Sequence, residues 1–406
     1  MKTLNMKLTY LSIAIVIMLL TGCDDISMQP ITDSSSAPSA ITNISVENQP
    51  GQAVITYSIP KNQNILYTKA VYPLANGETR EVKASYYTNK MVVDGFADAN
   101  AHTIKLYAVN RSEMSSEAID VVVNPLENPI WEVYRSIKVL PDFAGVKIRG
   151  ENPTRANIAV EVLEKDTLGN WQMMPSIYTS AMEFSRTNRG LDTIPYNFAV
   201  TVRDRFLNYT DTIYETITPF FEEKIDMSKF TELKLEGDAE KSPENPGLPG
   251  LSSIWLNAPD YKNWQRFMTG RSQTDPQFVT INMNKEIKLS RIKITNFGES
   301  TGNVDFYVDG HMRIFEIWGL RKDDLINGNW SDNWQLMGRF ENIKPSGLPL
   351  NQNSSEDIEA GRAGFDYDFD TEADKVQYIR IKCIENWVGT TWFQIQSIVL
   401  FGDTRR

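Results

Sequence analysis

Cysteine and histidine are nearly absent from this 406-residue chain, which holds two of each: Cys23 and Cys383, His102 and His311. Two cysteines exclude a disulfide-rich scaffold and any zinc ribbon or finger array. Two histidines leave little room for a His-based metal centre. Positive charge is in deficit, with 41 Lys and Arg against 52 Asp and Glu and a net charge of −11. Broad nucleic-acid binding needs clustered cations to neutralise phosphates, so that class is excluded. Long apolar runs are also missing. The longest, Leu11 to Leu20, is too short to span a bilayer comfortably, and no later run is long enough. What is present is a 41% hydrophobic, 23% charged composition. That is enough apolar material for real cores and excludes wholesale disorder. The length exceeds one ordinary domain and suggests two to four.

At the amino terminus, Lys2 and Lys7 precede the apolar run, which only Ser12 interrupts, and Leu20-Thr21-Gly22-Cys23 follows. This order of charge, apolar run and small residues suits a signal peptide over residues 1–22. The tetrapeptide resembles the bacterial lipobox, which implies that Cys23 is lipidated and becomes the first mature residue. Several acyl chains there make membrane anchoring stable. Asp24 and Asp25 resemble the surface-export signal of Bacteroidetes lipoproteins, which implies an outer-membrane, outward-facing location. Residues 23–37, rich in Ser, Asp, Thr and Pro, read as a flexible tether with a reach on the order of 45 Å. The second cysteine, Cys383, alternates with charged residues in Tyr378–Cys383 and is expected as a buried, inert thiol on the inner face of a strand.

The rest of the chain reads as short alternating segments broken by turn residues. Residues 38–125 hold several strand candidates, among them Ala53–Pro60 and Thr103–Val109, with Asn76-Gly77 as a hairpin turn, and suggest a sandwich. Residues 126–236 form a second unit. Ala108–Ser112 aligns with Val202–Phe206 at an offset of 94 residues, carrying Arg111 onto Arg205, Ile119 onto Ile213 and Pro125 onto Pro219. The period matches one sandwich, so we read two tandem copies of one architecture. Residues 237–250, with Pro243, Pro246, Pro249 and three glycines, are expected as a linker, because such a segment sustains neither a helix nor a central strand. Residues 251–406 then form a larger sandwich or jelly roll.

Phe278–Asn284 followed by Ile287–Ile294 resembles the opening strand pair of a discoidin (coagulation factor 5/8 type C) domain. Phe315–Gly319 resembles its central strand, Tyr378–Ile381 and Ile395–Gly402 its closing strands, and Lys344–Gly347 a loop of one Bacteroidetes branch. The whole layout resembles Bacteroidetes surface lipoproteins of polysaccharide utilisation, in which two fibronectin type III-like domains, catalogued as domains of unknown function, precede a discoidin-like one. The resemblance implies an all-β fold of two tandem fibronectin type III-like sandwiches followed by a discoidin-like β-sandwich. It also implies glycan as the ligand, an outer-membrane uptake complex as a partner, and no catalysis.

Seven of the nine tryptophans lie beyond Leu251. An indole offers a flat face to the apolar side of a sugar ring, while the sugar's hydroxyls need polar partners close by. Three clusters combine these: Asn386-Trp387, Trp330 in the polar loop Asn327–Asn333, and Asn263-Trp264. Packing against the sandwich is the plainer reading for any one of them. Trp318, inside a strand, is expected in the core, and Trp392 reads either way. Arg362, in Ala360–Gly364, reads as a loop arginine for a sugar hydroxyl or as a salt-bridged surface residue. Phe365–Asp370 alternates aromatic and acidic residues, expected as a solvated edge. A structural calcium is implied by the discoidin resemblance, with no ligands assignable. Gly298–Gly302 matches the nucleophile pattern G-x-S-x-G, but no helix follows and only His311 lies downstream, so a triad is not expected. The leading expectation is a non-catalytic surface glycan-binding lipoprotein. The alternatives are an adhesion lipoprotein binding a protein partner through its discoidin-like domain, and a glycosidase.

Overall fold

The computed structural model describes residues 36–61, 64–271, 276–300, 303–325 and 333–405. The expected signal segment, the candidate lipidation residue Cys23 and the candidate Trp330 lie outside these residues.

The first domain contains β1 (Thr42–Gln49), β2 (Gln52–Ser58), β3 (Ile65–Pro73), β4 (Thr79–Ser85), β5 (Lys90–Asp94), β6 (His102–Asn110) and β7 (Ile119–Val123). One sheet runs β1-β2-β5 and the other β4-β3-β6-β7. Period-2 alternation sets the core: Ala53, Ile55 and Tyr57 of β2 meet Ile104, Leu106 and Ala108 of β6. Gly77, at φ 85°, supplies the left-handed backbone of the turn between β3 and β4.

The second domain opens with α1 (Pro129–Ser136), capped by Asn128, whose side-chain oxygen accepts from the Ile130 amide at 3.1 Å. Proline at the first helical position fits, since its missing N–H would have no partner there. Strands β8 (Lys138–Asp142), β9 (Gly145–Glu151), β10 (Ile158–Lys165), β11 (Trp171–Met173), β12 (Ile177–Thr179), β13 (Glu183–Arg189), β14 (Tyr196–Asp204) and β15 (Ile213–Ile217) follow. The sheet β13-β9-β8 faces β11-β10-β14-β15, with β12 alongside β10.

The 94-residue offset is visible in matching turn chemistry. Asn110, ending β6, accepts from the amides of Ser112 and Met114; Asp204, ending β14, accepts from those of Phe206 and Asn208. Ser116 accepts from the Ala108 amide and donates to the Glu117 carbonyl; Thr210 does the same with Val202 and Asp211. The two domains are also clamped together. Asn208 donates to the Gly95 carbonyl (3.1 Å), Asn128 to that of Phe96 (2.9 Å), and Arg205 pairs with Asp94 at 2.6 Å.

The third domain comprises β16 (Glu223–Lys224), β17 (Thr231–Glu232), β18 (Phe267–Met268), β19 (Phe278–Thr295), β20 (Glu299–Ser300), β21 (Asn303–Val304), β22 (Met312–Leu320), β23 (Gln335–Glu341), β24 (Phe365–Asp368), β25 (Val376–Asn386), β26 (Gln394–Ile395) and β27 (Ser397–Asp403), with α2 (Ser253–Leu256) and α3 (Ser355–Ala363). The strand pair expected over 278–294 is one long strand, β19. Its first half pairs with β17 and β25, its second half with β27 and β24, so it belongs to both sheets. The register breaks between Asn282 and Ile287. Asn284 there takes φ 58° and is held by the Asn282 side chain (2.8 Å) and the Lys229 carbonyl (2.6 Å). Asparagine tolerates this conformation better than most residues. The core between the sheets includes Ile281, Ile292, Phe315, Ile379, Cys383 and Leu400. Cys383 is fully buried, and burial pushes its thiol well above the ordinary range.

One boundary needs correction. Residues 237–250 are not a free linker, and the domain begins upstream of them. β16 and β17 already pair within the third domain, and Ile225, Met227, Phe230 and Ala239 lie in its core. Prolines and glycines forbid a helix or central strand but allow an irregular strap held from outside. Asp238 holds this one: it accepts from Thr280 (2.9 Å) and faces Arg380 at 3.7 Å. Arg380 is itself fully buried between the rings of Phe278 (4.7 Å) and Trp334 (4.4 Å).

Candidate functional site

Four segments meet at one end of the third sandwich: residues 257–266, residues 297–300 with 303–311, α3 with its preceding loop, and residues 387–393. Backbone bonds join them, from Gly298 to Tyr261 (3.0 Å), Trp387 to His311 (3.2 Å) and Gln394 to Gly310 (2.8 Å). The Tyr307 hydroxyl donates to the Asp357 carbonyl at 3.2 Å.

Asn386 builds the loop that presents Trp387. Its side-chain oxygen accepts from the amides of Val388 (3.1 Å) and Thr390 (3.0 Å), and its amide donates to the Thr390 hydroxyl (2.7 Å) and Trp392 carbonyl (2.9 Å). The residue is fully buried. The sequence-based candidacy of Asn386 as a ligand contact is therefore corrected: its polar atoms are occupied in shaping the loop. Trp387 is half-buried and meets the edge of Tyr307 at 5.3 Å and 83°. The Arg313 guanidinium lies 5.9 Å from the indole centroid and pairs with Glu385 (3.0 Å) and Glu341 (3.6 Å). The indole N–H is buried and has no partner among the described residues.

Arg362 is not in a loop. It occupies the last turn of α3, where a cation suits the helix dipole. Its Nε donates to Glu299 at 3.0 Å, and its guanidinium lies 5.8 Å from the Tyr261 ring. The helix exists because Ser354 and Asp357 form a capping box. Asp357 also accepts from the amide and hydroxyl of Ser346 (2.9 and 2.6 Å). Burial pushes this carboxyl up, but the bonds from Ser346 and Ser354 outweigh it and hold it below the usual carboxylate range. Asn263 accepts from the Gln265 amide at 3.0 Å, closing a turn, and leaves Trp264 54% exposed at its tip. Next to it, Arg266 lies 4.7 Å from the Phe297 ring and donates to Gln394.

Contacts run from Trp387 to Tyr307, and from Arg362 through Tyr261 to Phe306 (6.1 Å), while Asn263 and Trp264 lie in the turn that follows Tyr261. Trp318 is half-buried, its indole N–H bonded to Glu316 at 3.0 Å, and Trp392 is core. Arg313, Tyr307 and Tyr261 went unnoticed in the sequence, where nothing but their types marks them. His311 is buried, and desolvation, with the nearby Arg266 charge, lowers its pKa to about 4 against a bond to the Phe297 backbone. Ser300 of the G-x-S-x-G match sits in the two-residue strand β20, paired with β21, and not on a strand-to-helix elbow. Asp366 pairs with Arg291 (2.5 Å) and Asp368 with Arg189 of the second domain (2.7 Å). The acidic edge is solvent-exposed, as expected, and two of its three aspartates are also ion-paired, one of them to the second domain. Among the described residues no group of three or more His, Cys, Asp and Glu is placed to hold a metal ion.

These features define an all-β chain in which two fibronectin type III-like sandwiches carry a discoidin-like domain. Residues 38–125, 126–228 and 257–402 match the models of the families DUF4959, DUF5126 and DUF5000, each described as a domain of unknown function, and the chain is built from these three domains. Among solved structures it is similar to a SusE-like protein, at 29% identity and TM-score 0.42, covering 68% of this chain and 98% of that one. It is also similar to the C-terminal domain of a chitobiase from Bacteroides fragilis (13% identity, TM-score 0.32, 45% and 100% covered). A third is the CBM32-3 domain of a family 31 glycoside hydrolase from Clostridium perfringens (14%, TM-score 0.29, 44% and 95% covered). No curated protein matches the sequence.

Proposed function

We propose that this chain is a non-catalytic, lipid-anchored outer-membrane protein that holds polysaccharide or oligosaccharide at the cell surface for an uptake complex, with the loop end of the third domain as its site. The observation that carries this reading is Trp387, a half-buried indole on a rigidly braced loop, flanked by Arg313 with its two carboxylates. An apolar face beside fixed donors and acceptors matches a ligand that is apolar on one face and hydroxylated at its edges. Trp264 and Arg362 belong to the same loop end. The carboxylates beside Arg313, Glu385 and Glu341, are engaged by it, which suits binding better than proton transfer.

One observation favours the adhesion reading. Ile343, Leu348 and Leu350 are all exposed in one stretch, a small apolar surface that a protein partner would cover. Affinity electrophoresis of the Cys23→Ser protein against a polysaccharide panel, with chromatography of any products, separates the readings. Retardation on a polysaccharide without cleavage supports the proposal. Released oligosaccharides identify an enzyme, and no retardation across the panel moves the weight to the protein partner. In cells, Cys23→Ser is expected to shift the protein from the membrane to the soluble fraction.

A further inference from the structure

The second domain carries an aromatic row that the site above does not use. In β10, Ile158, Val160 and Val162 face the core, so Ala159, Leu163 and Lys165 face outward. Their register partners share that face. Tyr178 lies opposite Ala159, Trp171 opposite Lys165, and Tyr214 opposite Ala199, itself opposite Leu163. Tyr178 is 71% exposed and Tyr214 66%, and Trp171 stands 5.8 Å from Tyr214. The six-residue separation from Ala159 to Lys165 sets the two ends of the row about 20 Å apart.

At the Tyr178 end the surface opens into a groove of about 620 Å³, lined also by Asn157, Thr179, Ser180, Arg203 and Arg205. Its charges are closed within the protein. Arg203 Nε pairs with Glu161 at 2.5 Å, Arg205 pairs at 2.6 Å with Asp94, which also holds Arg80 (2.7 Å), and the lining carboxylate Asp204 accepts from the Phe206 and Asn208 amides, so three cations face three carboxylates. The Arg203 guanidinium lies 5.8 Å from the Tyr178 ring, and among the described residues its Nη2 donates to no acceptor. The groove therefore offers an exposed ring, amide and hydroxyl groups and a guanidinium N–H, with its cations already neutralised. That complement fits an uncharged polyhydroxylated ligand and misfits nucleic acid or an acidic chain, which need unpaired cations.

We propose that this groove and the aromatic row form a second binding site, for an uncharged oligosaccharide lying along the sheet from Tyr178 towards Trp171 and Tyr214. The proposal rests on the glycan-binding reading above. Its test uses the full chain with Cys23→Ser and calorimetry on oligosaccharides of graded length, cut from whichever polysaccharide retards the parent protein. Tyr178→Ala and the double variant Trp171→Ala, Tyr214→Ala are made in the parent and in the Trp387→Ala background. These side chains are exposed or at the surface, so thermal unfolding is expected to stay at the parental temperature. Each variant is expected to weaken binding of long oligosaccharides at least about tenfold in the Trp387→Ala background, as for loss of an anchoring aromatic. Tyr178→Phe keeps the ring and is expected to bind like the parent. Unchanged affinity and stoichiometry in both variants would overturn the second site and leave the first reading standing. Binding of acidic polysaccharides alone would overturn the ligand class, and a parent protein that binds no polysaccharide would overturn both readings.

Discussion

Replacing Asn386 by alanine separates a scaffolding role from a ligand-contacting one. The substitution deletes four side-chain hydrogen bonds within residues 386–392. At about 1 kcal/mol net for each, and allowing water to replace the bond at the exposed Val388, the cost is about 2–4 kcal/mol. Urea unfolding followed by tryptophan fluorescence reads this directly, because seven of the nine tryptophans lie beyond Leu251 and report the third domain. The expected result is a lower midpoint for that transition with an unchanged slope. Asn386→Asp is expected to destabilise as well, since it keeps the two accepting roles but loses the donations to Thr390 and the Trp392 carbonyl. A variant that unfolds at the parental midpoint, yet no longer binds polysaccharide, would refute this reasoning and return Asn386 to the ligand.

Other perturbations have equally definite outcomes. His311 titrates near 4 when folded and near 6.5 when unfolded, so the unfolded chain binds more protons between those values. Its stabilising effect is complete above about 6.5 and is lost as pH falls towards 4, by up to ~3 kcal/mol, and His311→Gln is expected to flatten the slope of third-domain stability against pH over that window. In the Cys23→Ser protein, Cys383 is expected to resist an aromatic disulfide reagent until denaturant is added, because its thiol is buried and held protonated. Gly310, at φ 82°, would place a Cβ 2.2 Å from the Trp392 ring. Gly310→Ala is expected to cost about 2–4 kcal/mol in third-domain unfolding, from backbone strain and overpacking together.

The fold was legible where alternation and turn chemistry act locally. The β2 and β6 strands, the Asn76-Gly77 turn and the repeat from Asn110 to Asp204 are local signals, and the structure realises each. The role of residues 237–250 was not legible, because what holds them is distant: Asp238 reaches Thr280 and Arg380 across the fold. The bend in β19 was hidden for a related reason, since a strand shared by two sheets looks locally like two strands. At the candidate site, tryptophan content pointed to the third domain, and Asn386 and Arg362 show the limit of reading neighbours. A polar residue beside a tryptophan satisfies the loop's own backbone as readily as it satisfies a ligand. Glycines around Arg362 suggested a loop, whereas the capping box at Ser354 and Asp357 starts a helix. Arg313 carried no signal, because its relation to Trp387 comes from the pairing of β22 with β25.

The central claim is that the loop end of the third domain holds glycan through Trp387. Its most direct test is calorimetric titration of the Cys23→Ser protein and its Trp387→Ala variant with oligosaccharides of the polysaccharide that retards the parent, beside thermal unfolding of both. Loss of affinity of about tenfold or more, with the third domain of the variant still folded at the titration temperature, is the expected result. Equal affinity in the two proteins would contradict the account.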